Sequence, residues 1–160
     1  MKFLLTDQLI SVEPGKKIVV AKNVSMAEEY LADHFPGFPV LPGVMMLEAA
    51  VQTCAWLVRA TVGFSRCVVV LREARGIKYS TFVAPGRVLT ITAEAGEIGE
   101  QRSEFRIKGT CHGAAAIQGR LELAHLSLAE HHAGMEKVEE EMRTALRERW
   151  NLLQQRALSA

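Results

Sequence analysis

The stretch from residue 33 to residue 60 constrains the fold more than any other part of the chain. It opens with Asp33-His-Phe-Pro-Gly-Phe-Pro-Val-Leu-Pro-Gly and runs into the nearly unbroken apolar segment Val44-Met-Met-Leu-Glu-Ala-Ala-Val-Gln-Thr-Cys-Ala-Trp-Leu-Val. Pro36, Pro39 and Pro42 fix φ and deter helix in the first half, whereas the run after Gly43 is rich in good helix formers. A rigid loop therefore feeds a helix from Gly43 to about Ala60, roughly 27 Å long at about 1.5 Å per residue. Because it is apolar on nearly every face, the rest of the chain has to wrap it.

Three polar residues interrupt this setting: His34 at the mouth of the loop, Glu48 inside the apolar run, and Gln52 one turn later. Glu48 and Gln52 share a helix face at i, i+4, so the amide can hydrogen-bond and orient the carboxyl. An ionised carboxylate buried in hydrocarbon is costly, so Glu48 is expected to be paired, solvated by a site, or neutral. A neutral carboxylic acid can donate a proton and a nearby imidazole can accept one, which makes an acid/base pair. The residues alone leave a plainer alternative open, with His34 capping the loop and Glu48 a structural carboxyl.

The segment from His34 through Glu48 to Gln52 closely resembles the signature of the bacterial 3-hydroxyacyl-[acyl carrier protein] dehydratases. The histidine, its Phe-Pro-Gly, the Pro-Val-x-Pro-Gly and the glutamate fourteen residues after the histidine all fall in place. Glutamate at that position resembles the dehydratase branch, not the dehydratase/isomerase branch, which carries aspartate. Weaker similarity extends from about Phe3 to about Leu126. The resemblance implies a hot-dog fold, an antiparallel sheet wrapped around one long central helix, with active sites at the interface of a homodimer, and the sequence leaves open whether such dimers gather into a trimer of dimers. Asp33 departs mildly from the glycine usual in relatives.

Composition excludes several classes. With 160 residues, 49% of them hydrophobic, the chain can build a sizeable core. A net charge of +1 without a dense Lys/Arg cluster leaves no nucleic-acid footprint. Cys54, Cys67 and Cys111 are widely spaced, which suits reduced thiols in the cytoplasm better than disulfides or a zinc site. No signal-like amino terminus is present, and Glu48 and Gln52 break the longest apolar run, so membrane insertion is not expected.

Along the chain, Leu4 to Val12 leads through Glu13-Pro-Gly-Lys into Ile18 to Val24, which predicts a hairpin. Ser25-Met-Ala-Glu28 has capping-box spacing and predicts a short helix to about Ala32. After the central helix Gly63 offers a stop, and Cys67 to Leu71 reads as a buried strand continuing extended to Tyr79, with Gly76 a possible bulge. Val88 to Ala95 alternates as a half-buried strand, Glu104 to Cys111 follows with Phe105 and Ile107 on one face, and Ala114 to Ala124 comes last. Strand following strand across glycine turns predicts an antiparallel sheet, hence α+β with one dominant helix. No internal repeat or low-complexity segment occurs.

The resemblance weakens at Ile77-Lys-Tyr-Ser-Thr-Phe-Val-Ala-Pro-Gly-Arg. Lys78, Tyr79, Pro85 and Gly86 fit, but Ser80, Thr81 and Phe82 replace residues that are often basic or proline, and Arg87 reverses a charge. Carrier proteins are acidic, so these changes bear on docking, unless Arg72, Arg75, Lys78 or Arg87 supply the same field. Residues 1–126 are thus expected to form the dehydratase-like domain and 127–160 a helical extension. In the extension Met135, Val138, Met142, Leu146, Trp150, Leu153 and Ala157 form an apolar stripe, with acidic residues before basic ones. His131 and His132 point apart on a helix, and neither they nor His112 and His125 have ligand company, so no metal or cofactor is expected.

The resemblance implies reversible dehydration of a (3R)-3-hydroxyacyl thioester, carried by acyl carrier protein, to the trans-2-enoyl thioester. His34 would take the C2 proton, protonated Glu48 would give one to the departing hydroxyl, and Gln52 would orient Glu48. The Gly43 amide, five residues before Glu48 and so about 7.5 Å away along the axis, would hold the thioester oxygen at the helix amino terminus. In the family, the histidine and glutamate of one site come from different protomers. Phe35, Phe38, Met45, Met46, Trp56 and Tyr79 are candidates to line an acyl tunnel, with ordinary core the plainer reading of each. Two other readings are a hot-dog thioesterase and a non-catalytic, carrier-binding subunit paired with an active sister.

Overall fold

The computed structural model describes residues 3–158, and the side chains of all of these except His131, Arg156, Ala157 and Leu158. His131 and Ala157, read above as a non-ligand and as the end of the stripe, therefore have side chains outside the described residues. The central helix α1 runs Gly43–Thr61, one residue beyond the expected end. Six strands enclose it: β1 (Gln8–Glu13), β2 (Lys17–Asn23), β3 (Val68–Tyr79), β4 (Val88–Ile98), β5 (Arg102–Cys111) and β6 (Ala114–Leu126). They form one antiparallel sheet in the order β1-β2-β4-β5-β6-β3.

Alternation decides which faces meet α1. Leu89, Ile91 and Ala93 on β4 and Phe105 and Ile107 on β5 are all buried, as are Ile18 and Val20 on β2. They pack on Ala49, Ala50, Cys54, Leu57 and Val58 of the helix. Small residues on α1, Ala49, Ala50 and Cys54, let the sheet approach closely.

Two expectations from the strands change. The first strand starts at Gln8, not Leu4. β3 is an edge strand and largely exposed, with Val70 43% and Leu71 38% accessible, so Cys67 to Leu71 is not a buried strand although Cys67 and Val69 are buried. Pattern alone cannot separate a central strand from an edge. The bulge expected at Gly76 is present: the residue has φ +60° and the β3–β6 register shifts between Arg75 and Lys78.

The segment Ser25 to Ala32 is a turn followed by one 3-10 turn, Glu29–Leu31, and not a capped helix. Glu28 does reach back to the Ser25 amide at 3.1 Å, as a capping box requires. Its carboxylate is also held by Lys22 at 2.9 Å and by the Tyr30 hydroxyl, which fixes a compact turn before His34. Lys22 is itself buried, and Asp7 and the Asn23 carbonyl take its remaining hydrogen-bonding capacity.

After β6, a short helix α2 (Leu128–His131) leads to α3 (Glu136–Leu158). α3 packs along β1 and onto the far side of α1, where Trp150 stacks near Trp56 at 5.7 Å and meets Phe64 edge-on at 6.4 Å. Trp150 and Leu153 belong to the same core as α1. The stripe differs from expectation at one position: Val138 is 41% exposed, and Glu139 beside it is buried. The Glu139 carboxylate accepts from the Ser127 hydroxyl at 2.8 Å and the Ala129 amide at 3.0 Å, which caps α2.

These contacts give Glu139 a pH signature. The Ala129 amide, with the Ser127 hydroxyl and Arg143 also contributing, holds its carboxyl below the ordinary glutamate value. Because the folded value lies below the unfolded one, the contribution is fully present above the ordinary glutamate range and is lost as pH falls from that range through the lower folded value. Glu139→Gln is expected to lower Tm by several degrees at pH 7 and to flatten the loss of Tm as pH falls below the ordinary glutamate range, as read by thermal melts from neutral to strongly acidic pH.

Candidate active site

Pro42 stands at the amino-terminal cap of α1 and its carbonyl accepts from both Met45 and Met46. The amides of Gly43 and Val44 precede these bonds, so they point out of the helix end with its positive character. The His34 loop folds against this end. The Phe38 amide donates to the Phe35 carbonyl at 2.9 Å, Val40 to His34 at 3.1 Å, and Leu41 to Val83 at 2.8 Å. The His34–Phe35 peptide is cis.

His34 is half-buried, and its ring stacks on Phe35 at 4.3 Å. Its Nδ1 lies 3.2 Å from the Val40 carbonyl oxygen. A carbonyl only accepts, so this contact places the proton on Nδ1 and leaves the Nε2 lone pair free to take a proton.

A cavity of about 340 Å³ opens beside the imidazole. It is lined by His34, Phe35, Val40, Leu41, Gly43, Met46 and by the end of β3 and its following loop, Tyr79, Ser80, Thr81 and Phe82. The imidazole and the first amide of α1 thus share one apolar hollow. Tyr79 covers the helix end, and a Cβ at Gly43 would stand only 3.2 Å from its ring. Partial burial pushes the Tyr79 hydroxyl above its ordinary value, so it stays protonated at neutral pH. Gly43→Ala is expected to displace the ring and lower turnover by about 10- to 100-fold with little change in Tm, as read by steady-state kinetics beside a thermal melt.

Glu48 is not in this hollow. It sits on the exposed face of α1, in contrast to the burial its apolar neighbours suggested. The Gln52 amide nitrogen donates to Glu48 Oε1 at 2.9 Å and to the Phe3 carbonyl at 2.9 Å, while Gln52 Oε1 accepts from the Leu5 amide at 2.9 Å. With its amide tied to the amino-terminal segment, Gln52 holds Glu48 in one orientation and leaves Oε2 available.

The tunnel candidates divide. Phe35, Met46 and Tyr79 line the cavity. Met45 packs against the core, and Phe38 is 57% exposed, edge-on to Phe82 at 5.9 Å. Trp56 lies deep under α3, its indole donating to the Thr6 hydroxyl at 3.0 Å, and lines no part of the hollow. Ser80, Thr81 and Phe82, noted in the sequence only as departures, are part of the wall. The clue was their position just after an extended segment that ends at Tyr79.

A family model described as ApeI-like, ApeI dehydratase, matches residues 11–120. Among curated proteins, the 3-hydroxyacyl-[acyl-carrier-protein] dehydratase FabZ of Ruminiclostridium cellulolyticum is 35% identical over 124 residues, covering 76% of this chain and 86% of that protein. The FabZ of an Anaeromyxobacter species is 38% identical over 112 residues, covering 68% of this chain and 70% of its own. Among solved structures, the dehydratase heterocomplex ApeI:P from Xenorhabdus doucetiae superposes with a TM-score of 0.68 at 20% identity, covering 81% of this chain and 87% of the other. The fluoroacetyl-CoA-specific thioesterase FlK gives 0.59 at 17%, covering 79% and 97%. These neighbours share the hot-dog fold.

Proposed function

The chain belongs to the ApeI-like dehydratase family, and from that membership and the cavity beside His34 we infer that it is a 3-hydroxyacyl-[acyl carrier protein] dehydratase. It reversibly removes water from (3R)-3-hydroxyacyl thioesters to give trans-2-enoyl thioesters, in fatty acid or related acyl-chain biosynthesis. The curated relatives favour this over thioester hydrolysis and over a non-catalytic subunit.

The observation that carries the mechanism is that His34, its Nδ1 held at 3.2 Å from the Val40 carbonyl oxygen, lines the same hollow as Gly43. Nε2 takes the C2 proton, the Gly43 amide holds the thioester oxygen as enolate charge develops, and a protonated glutamate releases the 3-hydroxyl as water. That glutamate is Glu48 of the partner subunit. Glu48 of the same chain lies outside the cavity, while the end of β3 forms part of the cavity wall. Of the two sheet edges, β1 is packed by α3, whereas β3 is open and carries the exposed Val70 and Leu71. A homodimer joined along β3 would close each cavity with the other subunit's α1.

Residues 1–126 form the catalytic body in this reading and 127–160 an extension added to it, in keeping with a family match that stops at residue 120. No helix among the described residues is long and apolar enough to cross a membrane. Three buried free cysteines suit a reducing compartment, and the cytoplasm is the proposed location. The test is conversion of 3-hydroxyacyl groups on acyl carrier protein followed by their mass. Loss of one water is the expected result, and release of free acid and thiol without it would turn the reading to a thioesterase.

A further inference from the structure

The outer face of the sheet, turned away from α1, carries charges sorted by rung. Glu73 on β3 stands beside Glu122 on β6, which stands beside Glu104 on β5. Two residues along each strand the sign reverses: Arg75 stands beside Arg120, which stands beside Arg106, and only at β4 does an acidic residue, Glu94, follow beside Arg106. Like charges directly opposite on neighbouring strands destabilise a sheet, so each rung is a cost within the single chain.

That cost is only partly offset internally. Arg75 pairs with Glu73 at 2.5 Å, and Arg72 pairs with Glu122 at 3.0 Å. Among the described residues, Glu104, Arg106 and Arg120 form no ion pair within 4.0 Å, although Glu104 adds to the field that favours charged Arg75. All six side chains border a hollow of about 430 Å³ on this face.

We propose that this face docks a second copy of the chain, sheet against sheet, about a twofold axis that lies in the interface between the two rungs. Such an axis carries each copy's acidic rung onto the other's basic rung, so Glu104 meets the second copy's arginine pair and both mismatched rungs are compensated. The dimensions allow it: rungs two residues apart are about 6.8 Å apart, and stacked sheets sit about 10 Å apart, which facing Arg and Glu side chains span together. An acidic carrier or a nucleic acid would satisfy the arginines and be repelled by the glutamates. A partner carrying both rungs satisfies both, and this chain carries both. The contact lies on the opposite side of the sheet from His34 and is separate from pairing along β3.

Sedimentation of the full chain at about 50 mM and about 500 mM salt tests this, with Glu104→Arg, Arg106→Glu and the double exchange Glu104→Arg/Arg106→Glu beside wild type. The wild type is expected to assemble one step beyond either single variant at low salt and to lose that step at high salt. Each single reversal should raise the dissociation constant of that step about tenfold or more, and the double exchange should restore it. Dehydration per chain should be unchanged in all three variants. Equal masses for wild type and single variants at low salt would overturn the proposal, as would a double exchange no better than the singles. An unchanged mass with a raised KM for acyl carrier protein in Arg106→Glu would reassign the face to the carrier.

Discussion

Replacing His34 by alanine or Glu48 by glutamine is expected to lower dehydration of a 3-hydroxyacyl thioester by about 10²- to 10⁴-fold with the fold retained. Neither side chain holds the structure together. The His34 ring makes one hydrogen bond, to the Val40 carbonyl, while three backbone bonds close its loop without it. Glu48 is exposed on α1, and Gln52 keeps its contacts with Phe3 and Leu5 when the carboxyl becomes an amide. Glutamine conserves the shape and removes only the acid, so a large loss in Glu48→Gln identifies proton donation as its task. Single-turnover conversion followed by acyl mass separates this from weaker binding. Retention of near-wild-type turnover in either variant would remove that residue from the reaction.

Trp150→Ala is expected to cost about 3 to 5 kcal/mol, the range for deleting a buried tryptophan. The indole is 8% exposed, sits between Trp56 and Phe64, and together with Leu153 anchors α3 to the central helix. Trp56 is in turn covered on another side by Arg59, whose guanidinium lies 5.4 Å from the ring and whose pKa burial lowers to about 10. Removing Trp150 opens a void between two apolar layers and uncovers the β1 edge. Urea unfolding should show the loss as a lower midpoint. A cost below about 1 kcal/mol would mean that α3 rests on the body without stabilising it.

Much of this was legible in the chain itself, because the informative residues act locally. Pro42 and Gly43 mark the start of α1, the alternation from Leu89 to Ala93 marks β4, and Gly76 marks its bulge, each through backbone or pleat geometry that needs no distant partner. His34, Gly43, Phe35, Met46 and Tyr79 come together around one cavity. The misreadings share a different cause. Glu48 is surrounded by apolar residues in sequence yet exposed in the chain, because composition along a helix does not say which of its faces the sheet covers. β3 has a buried strand's composition and an edge strand's position, which depends on sheet order. Glu139 looked like solvent-side charge in an amphipathic stripe, but capping of Ser127 and Ala129 draws it inward, a tertiary contact that hydrophobic periodicity cannot register.

In the proposed dimer each active site joins His34 of one subunit to Glu48 of its partner. Co-expressing His34→Ala with Glu48→Gln tests it directly, since each variant alone is predicted to be inactive. Random pairing makes half the dimers mixed, and each mixed dimer holds one intact site of two, so about one quarter of wild-type activity is predicted to return. If the two residues instead served the same chain, every site in the mixture would lack one of them. Activity that stays at the level of the separate variants, with mixed dimers demonstrably present, would contradict the account.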